Sequence, residues 1–226
     1  MKILSWNCQG LGSPLTIRAL TALVAKEKPD VIFLVETKNR ELVLSRIHRK
    51  LRFVNSYITN LIGTAGGLAM FWHSHVSIQV EIATPNFFDT ICSEIGRGIT
   101  MRLTCIHAPA TPDLRQPLWT ALRRLAFIGS LPWVCVGDSN EIAYQWEKFG
   151  EELVKEWLDR VLCTWNWWLT YSEAEVFAFP AVGSDHSPLM LNTEGQQRRN
   201  ASSAVERQAP RCLAAGGTVL GVEISD

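Results

Sequence analysis

Short apolar runs that break off into polar clusters punctuate this chain. Lys2-Ile3-Leu4-Ser5-Trp6-Asn7 reads as a strand ending in polar residues. Val31-Ile32-Phe33-Leu34-Val35 is apolar throughout, the pattern of a strand buried on both faces. Thr100 to His107 and Trp133 to Asp138 read as two more strands, the second again buried. Gly66 to Trp72 and Val76 to Ile82 look like a strand pair joined by a His73-Ser74-His75 turn, the second alternating as a half-buried antiparallel strand does. Helices fall between them. Ile17, Leu20, Leu23 and Val24 recur at helical spacing over 15–28, with Ser13 as cap, Pro14 at the first position and Pro29-Asp30 as the stop. A second helix is predicted over 39–51, and a third, amphipathic, from Asp113 to about Phe127. Helices layered on such strands describe a mixed α/β domain. After Leu191 the pattern collapses into Gly, Ala, Ser, Gln and Arg, with one brief run at Val219-Leu220-Gly221-Val222. That predicts a disordered, weakly attached or unrelated tail over 192–226.

Composition narrows this picture. With 226 residues, 47% of them apolar, the chain can bury one substantial core and suits one domain better than two. Net charge is zero, so no overall basic field points to nucleic acid. A local run from Arg46 to Arg52 is either a basic patch or a solvated helix face, the commoner arrangement. The six cysteines, at 8, 92, 105, 135, 163 and 212, form no C-x-x-C pair, and Cys105 and Cys135 sit in apolar runs as small hydrophobes. A zinc site is therefore disfavoured and a reduced, intracellular setting expected. No signal peptide is visible, and no apolar run reaches the roughly 18 residues of a membrane helix. Nothing demands an obligate protein partner, so a monomer is expected.

The polar clusters hold the chemistry. Four lie where an apolar run ends: Ser5-Trp6-Asn7, Val35-Glu36-Thr37, Val136-Gly137-Asp138-Ser139-Asn140-Glu141 and Gly183-Ser184-Asp185-His186-Ser187-Pro188. Together they supply carboxylates, two asparagines and a histidine. Phosphodiester hydrolysis requires a cation on the phosphate oxygens, a base or orienter for water, and help for the leaving oxygen. Glu36 is the best candidate for a hard cation such as Mg²⁺, which needs only one or two carboxylates. Each cluster also has a plainer reading. Asn7 can close a turn before Gly10, Gly-Asp-Ser-Asn can be a loop with an Asx turn, and a lone histidine is usually structural. His48, His73 and His75 read as surface residues.

Six motifs in order carry a family resemblance: Leu4 to Gly12, Val35-Glu36-Thr37-Lys38, Ala65 to Trp72, Pro132-Trp133 with Gly137 to Ile142, Trp157-Leu158-Asp159-Arg160, and Ser184 to Pro188. Over residues 1–191 the sequence resembles the endonuclease/exonuclease/phosphatase superfamily, nearest to the endonuclease domain of plant LINE-type (non-LTR) retrotransposons. The resemblance implies a four-layer α/β sandwich and a Mg²⁺-dependent nuclease, with Mn²⁺ as a substitute, that nicks one strand of DNA in the nucleus. It implies that Glu36 and Asn7 hold metal and phosphate and that Asp185 lies near the metal. Asp138 would activate water, and Asn140 would keep phosphate and aspartate in register. His186, supported by Asp159, would contact the scissile phosphate. His107 stands where the family usually has a tyrosine, and can still donate to a phosphate oxygen. Relatives spend several dozen residues between the positions of Glu141 and Asp159, so one or more elements are expected to be missing there. The sequence also stops resembling a complete retrotransposon product after the start of a linker at Asn192 to Arg199. Those departures keep a catalytically silent remnant open beside the nuclease. An abasic-site endonuclease or an inositol-phosphate phosphatase is a third possibility, because the superfamily shares its chemistry across these substrates.

Overall fold

In a computed structural model, apolar parity decides the architecture. The structure describes residues 1–59, 66–140 and 159–195, and beyond them the backbone of three short strands. In chain order the elements are β1 (Lys2–Asn7), α1 (Pro14–Glu27), β2 (Val31–Val35), α2 (Glu41–Lys50), β3 (Asn55–Ile58), β4 (Ala69–Trp72), β5 (Val76–Ala83), β6 (Phe87–Glu94), β7 (Thr100–His107), α3 (Gln116–Phe127), β8 (Trp133–Asp138), β9 (Asp159–Thr164), α4 (Trp165–Thr170), β10 (Glu175–Ala178) and β11 (Leu189–Asn192), followed by β12 (Glu206–Gln208), β13 (Arg211–Leu213) and β14 (Val219–Leu220). They form two sheets, ordered β12-β10-β11-β1-β2-β4-β3 and β14-β13-β9-β8-β7-β6-β5. Six strands of the first and five of the second come from residues up to Asn192; the three short strands lie at the outer ends.

Every second residue of the central strands points into the space between the sheets. Ile3, Val31, Phe33 and Val35 of the first sheet share one cluster with Met101, Leu103, Cys105, Val134, Val136, Val161 and Cys163 of the second. The alternate residues Leu4, Trp6, Ile32 and Leu34 face outward, under Leu20 of α1 and Leu44 and Ile47 of α2. On the far side, Ile106, Trp133 and Cys135 lie under Leu118, Leu122 and Leu125 of α3. Helices, sheet, sheet and helix make the expected four-layer α/β sandwich, and β2 and β8 are buried on both faces because each sheet carries helices outside.

Local signals mostly hold. Ser13 caps α1, its side chain accepting from Leu15 N, with Pro14 in the first turn. The second helix is shorter than expected, ending at Lys50, and turns Leu44, Ile47 and Leu51 inward and Arg46, Arg49 and Lys50 outward, a solvated face. The strand pairing expected around the His73-Ser74-His75 turn is corrected. The segments flanking His73-Ser74-His75 do not pair: β4 bonds to β2 and β3 in one sheet, β5 to β6 in the other. The chain crosses between sheets there, anchored by His73 N on Asp30 O (3.1 Å) and His75 Nε2 on Asp30 Oδ1 (2.8 Å). His48 and His73 are half-buried rather than superficial, their rings against Phe71 and Phe53. Five cysteines are buried free thiols, and burial pushes Cys8 and Cys92 up to about 12. No helix among the described residues is long and apolar enough to cross a membrane.

The shortfall expected between Glu141 and Asp159 falls outside the described residues. On either side of it, β8 and β9 pair directly and antiparallel, Asp138 opposite Asp159. Backbone contact at this end is unusually tight. Gly137 has φ +138°, and a Cβ there would sit 2.1 Å from Ile106 O on β7. Gly137→Ala is therefore expected to lower unfolding free energy by about 2–4 kcal/mol. Gly12→Ala, whose Cβ would meet only Asn39 Nδ2 at 4.0 Å, should stay within about 0.5 kcal/mol of wild type. Denaturant melts of both variants check this.

Candidate active site

The inward parity that builds the core continues into polar residues at one rim. Asn7 follows Ile3 and Ser5 on β1; His107 follows Leu103 and Cys105 on β7; Asp138 follows Val134 and Val136 on β8; Asp159 precedes Val161 on β9. Register sets three of them in a row across the second sheet, His107 opposite Asp138 and Asp138 opposite Asp159. Asn7 ends the facing strand of the first sheet, beside Val35. Glu36 directly follows Val35, its backbone in the left-handed region at φ +50°, a conformation uncommon for glutamate and often found at functional sites.

These residues meet. Asn7, 1% exposed, donates from Nδ2 to Asp138 Oδ2 (3.0 Å) and to Glu36 Oε1 (3.3 Å). Asn140, at φ +47°, donates from its backbone N to Asp138 Oδ1 (2.9 Å) and from Nδ2 to Asp138 Oδ2 (3.3 Å) and Ala108 O (2.6 Å). Asp138, 1% exposed, is thus gripped by three N–H donors from two segments. His186 Nδ1 lies 3.0 Å from Asp159 Oδ2 and 3.9 Å from Asp138 Oδ2. Its Nε2 is 3.4 Å from Asn7 Nδ2. Both Asn7 amide protons already face carboxylates, so this contact is not a hydrogen bond, and Nε2 is left to present its own proton to the rim.

Charge follows geometry. Burial favours neutral His186, but the Asp159 hydrogen bond and the charges of Asp159, Asp138 and Asp185 outweigh it and raise its pKa to about 9. Burial pushes Asp159 the other way, up to about 6 against the pull of His186, and its Oδ1 is buried with no partner among the described residues. The pair is an imidazolium on a carboxylate at neutral pH. Glu36 is held well below the usual carboxylate range by the His107 hydrogen bond, with Lys38 and Asn7 adding to it against a raising effect of burial. His107 Nε2 stands 3.4 Å from Glu36 Oε1, and Lys38 Nζ 2.8 Å from Oε2.

Two places offer cation ligands. Asp138, Asp159 and His186 each bring a donor atom to within 4.8 Å of the others, but those atoms are engaged with one another and with asparagine amides, and a protonated imidazole is no ligand. Glu36 fits better: it is an ionised, hard oxygen donor and partly exposed, and the Lys38 ammonium on Oε2, itself 39% exposed, is the contact a cation would displace. Asn7 is turned with its amide nitrogen toward the two carboxylates, so here it braces Glu36 rather than offering it an oxygen neighbour. Asp185 points outward, its side chain 72% exposed and Oδ1 3.8 Å from His186 Nε2. Every site residue singled out in the sequence therefore gathers at one rim, Asp185 on its solvent side. Sequence reading missed Lys38 on Glu36, and also Trp6 and Ser184, which tether the His186 loop: Trp6 Nε1 donates to His186 O (3.0 Å), and Ser184 Oγ donates to Asn7 O (2.8 Å). The signal for Trp6 was its outward parity next to Asn7.

A two-sheet sandwich with this rim has the architecture of phosphodiesterases and phosphatases. The chain belongs to the endonuclease/exonuclease/phosphatase family, whose model matches residues 4–186; enzymes of this family use a divalent metal. Among solved structures it is similar to the endonuclease domain of TRAS1, a telomere-specific non-LTR retrotransposon, at 14% identity and TM-score 0.60 over 84% of this chain and 97% of that one. It is similar to truncated Caenorhabditis elegans TDP2 at 16% identity and TM-score 0.59, covering 84% and 96%. A Neisseria 3′ phosphatase, NExo, bound to a product DNA hairpin, aligns at 13% identity and TM-score 0.56, covering 85% and 98%. At such identities these likenesses bear on the fold. A comparison with curated proteins gives no match.

The His186–Asp159 pair has a measurable signature. The folded pKa of His186 lies above its ordinary 6.5, so its stabilising contribution is full below about pH 6.5 and disappears as pH rises through about 9. Imidazole NMR should place the His186 midpoint near 9 and Asp159→Asn should return it toward 6.5. The stability advantage of wild type over His186→Gln should likewise vanish across that window.

Proposed function

We propose that this chain is a Mg²⁺-dependent endonuclease domain of retrotransposon origin that hydrolyses a phosphodiester bond in one strand of DNA. One observation carries the reading: a single asparagine amide, Asn7 Nδ2, bridges Glu36 and Asp138 across the two sheets while His186, braced by Asp159, stands beside it. Orienter, anion and proton donor are thereby fixed before substrate arrives, which is where electrostatic catalysis gains most.

Each residue has a task in the displacement. The Asp138 carboxylate, immobilised by Asn7 and Asn140, orients a water for in-line attack on phosphorus and takes its proton as the new P–O bond forms, while the P–O bond to the leaving sugar oxygen breaks and that oxygen departs as a hydroxyl after taking a proton from solvent. His186, cationic at neutral pH, donates from Nε2 to a non-bridging oxygen and neutralises charge that grows in the pentavalent transition state. Asp159 keeps the ring aligned and charged. Asn140 holds the phosphate and Asp138 in register. His107, beside Glu36, reaches a second phosphate oxygen. Glu36, with Asn7 behind it and Asp185 at the outer edge, would hold the cation, which when bound would supply Lewis-acid neutralisation of the phosphate. Mn²⁺ meets the same ligand preferences. The reading makes DNA the partner of a monomer acting in the nucleus, with residues 1–191 as its domain and 192–226 as the tail, which adds short strands at the outer ends of both sheets.

The test is supercoiled plasmid incubated with purified protein and Mg²⁺, beside abasic duplex and inositol polyphosphate. Nicked circles should accumulate and should fail to form with chelator. Asp138→Ala and His186→Ala should each slow nicking by about a hundredfold or more. Nicking that survives either substitution contradicts the assignment, faster turnover of the abasic or inositol substrate redirects it, and a folded protein inert on all three supports a silent remnant.

A further inference from the structure

The loop between β10 and β11 carries His186, yet its tip is exposed from Pro180 to Gly183. Trp6 and Asn7 hold this loop at His186 and Ser184, but its tip, which sets the approach of the histidine to Asp159, needs a stop of its own. The first turn of α1 meets the tip. Thr16 is 1% exposed, one of only two buried residues on that helix, the other being Leu20. A buried helix position normally takes an apolar side chain, and a helical threonine commonly returns its hydroxyl to the carbonyl four residues back. Thr21 does this, donating to Ile17 O at 2.7 Å. Thr16, in the first turn, where the residue four back lies before the cap, donates across to Gly183 O at 2.9 Å.

The contact is close on both sides. Gly183 has φ +78°, and a Cβ there would lie 2.9 Å from Thr16 Oγ1 and 3.0 Å from its Cα and N. Only glycine lets the loop approach α1 this closely, in a conformation other residues avoid. From that seat the chain runs directly into Ser184, whose Oγ accepts from His186 N at 3.1 Å while donating to Asn7 O, and into His186 itself. Ser13 and Pro14 fix where α1 begins, and so where Thr16 stands.

We infer that Thr16 is a positioning residue for His186: its hydroxyl, through Gly183, makes the start of α1 a fixed stop that holds the imidazole on Asp159. The inference rests on the nuclease reading for its catalytic consequence, but its structural half can be tested separately. Thr16→Val keeps the shape and removes the donor, and Thr16→Ser keeps the donor. In the full chain, Thr16→Val should melt cooperatively. It should nevertheless lose, or broaden by exchange, the proton resonance of His186 Nδ1–H on Asp159, and lower the nicking kcat about tenfold, as befits one lost hydrogen bond, with KM for DNA within about twofold. Thr16→Ser should restore both. A Thr16→Val protein that keeps the resonance and the wild-type kcat overturns the inference, as does a Thr16→Ser protein as impaired as Thr16→Val, since the site would then require packing rather than the hydroxyl. Should wild type nick nothing, the nuclease reading fails while the resonance in the two variants still decides the role of Thr16.

Discussion

One side-chain amide joins the two halves of this molecule where chemistry is expected. Asn7 Nδ2 has two protons; one goes to a carboxylate at the end of the first sheet, the other to a carboxylate at the end of the second. Two anions brought to one rim repel each other, and a buried Asp138 has little water to screen it. Donors shared between the carboxylates offset that repulsion and fix their separation. Lys38 on Glu36 and His186 on Asp159 offset part of the negative charge. The rim keeps an excess of carboxylates over cations, set in place by strands buried on both faces.

Strand parity explains why the array lies where it does. In a sandwich with helices on both outer faces, the space between sheets is filled by alternate residues of every central strand, and it opens to water only at strand ends. The apolar sequence that fills the core gives way to polar residues at the same parity once that edge is reached: Asn7, His107, Asp138 and Asp159 are the last or first inward positions of four strands. Glu36, Asn140, Asp185 and His186 stand outside this rule. Turns and loops carry them, Glu36 and Asn140 in left-handed backbone conformations, Asp185 and His186 in a loop tethered by Trp6, Ser184 and Thr16.

The same parity separates what could be read in the sequence from what could not. Strands β2 and β8 were legible because an unbroken apolar run such as Val31 to Val35 fits a short strand buried on both faces. The polar clusters at their ends located the site. Less legible were β3, whose Asn55 and Ser56 resemble a loop, and β6, which buries Asp89 in mid-strand. That aspartate is stable there because Arg102 of β7 grips it with two bonds from Nε and one from Nη2, and Thr104 donates to it as well. No local pattern announces such a partnership. The crossing at His73 to His75 failed for a related reason: a short polar turn between two strands has the same sequence whether the chain pairs back or leaves for another sheet. The contacts of Thr16 and Trp6 could not be read because their partners, Gly183 O and His186 O, are backbone carbonyls at the far end of the chain; for Trp6 only the outward parity beside Asn7 was a sign.

The central claim is spatial: a divalent cation belongs at the rim that holds Glu36, Asp138 and His186. Mn²⁺ added in substoichiometric amounts to the protein, followed by the ring resonances of its five histidines, tests this without any assay of turnover. Paramagnetic broadening should strike His107 and His186 first and leave His48, His73 and His75 sharp. Broadening that begins at the latter three, or none at all, would contradict the account.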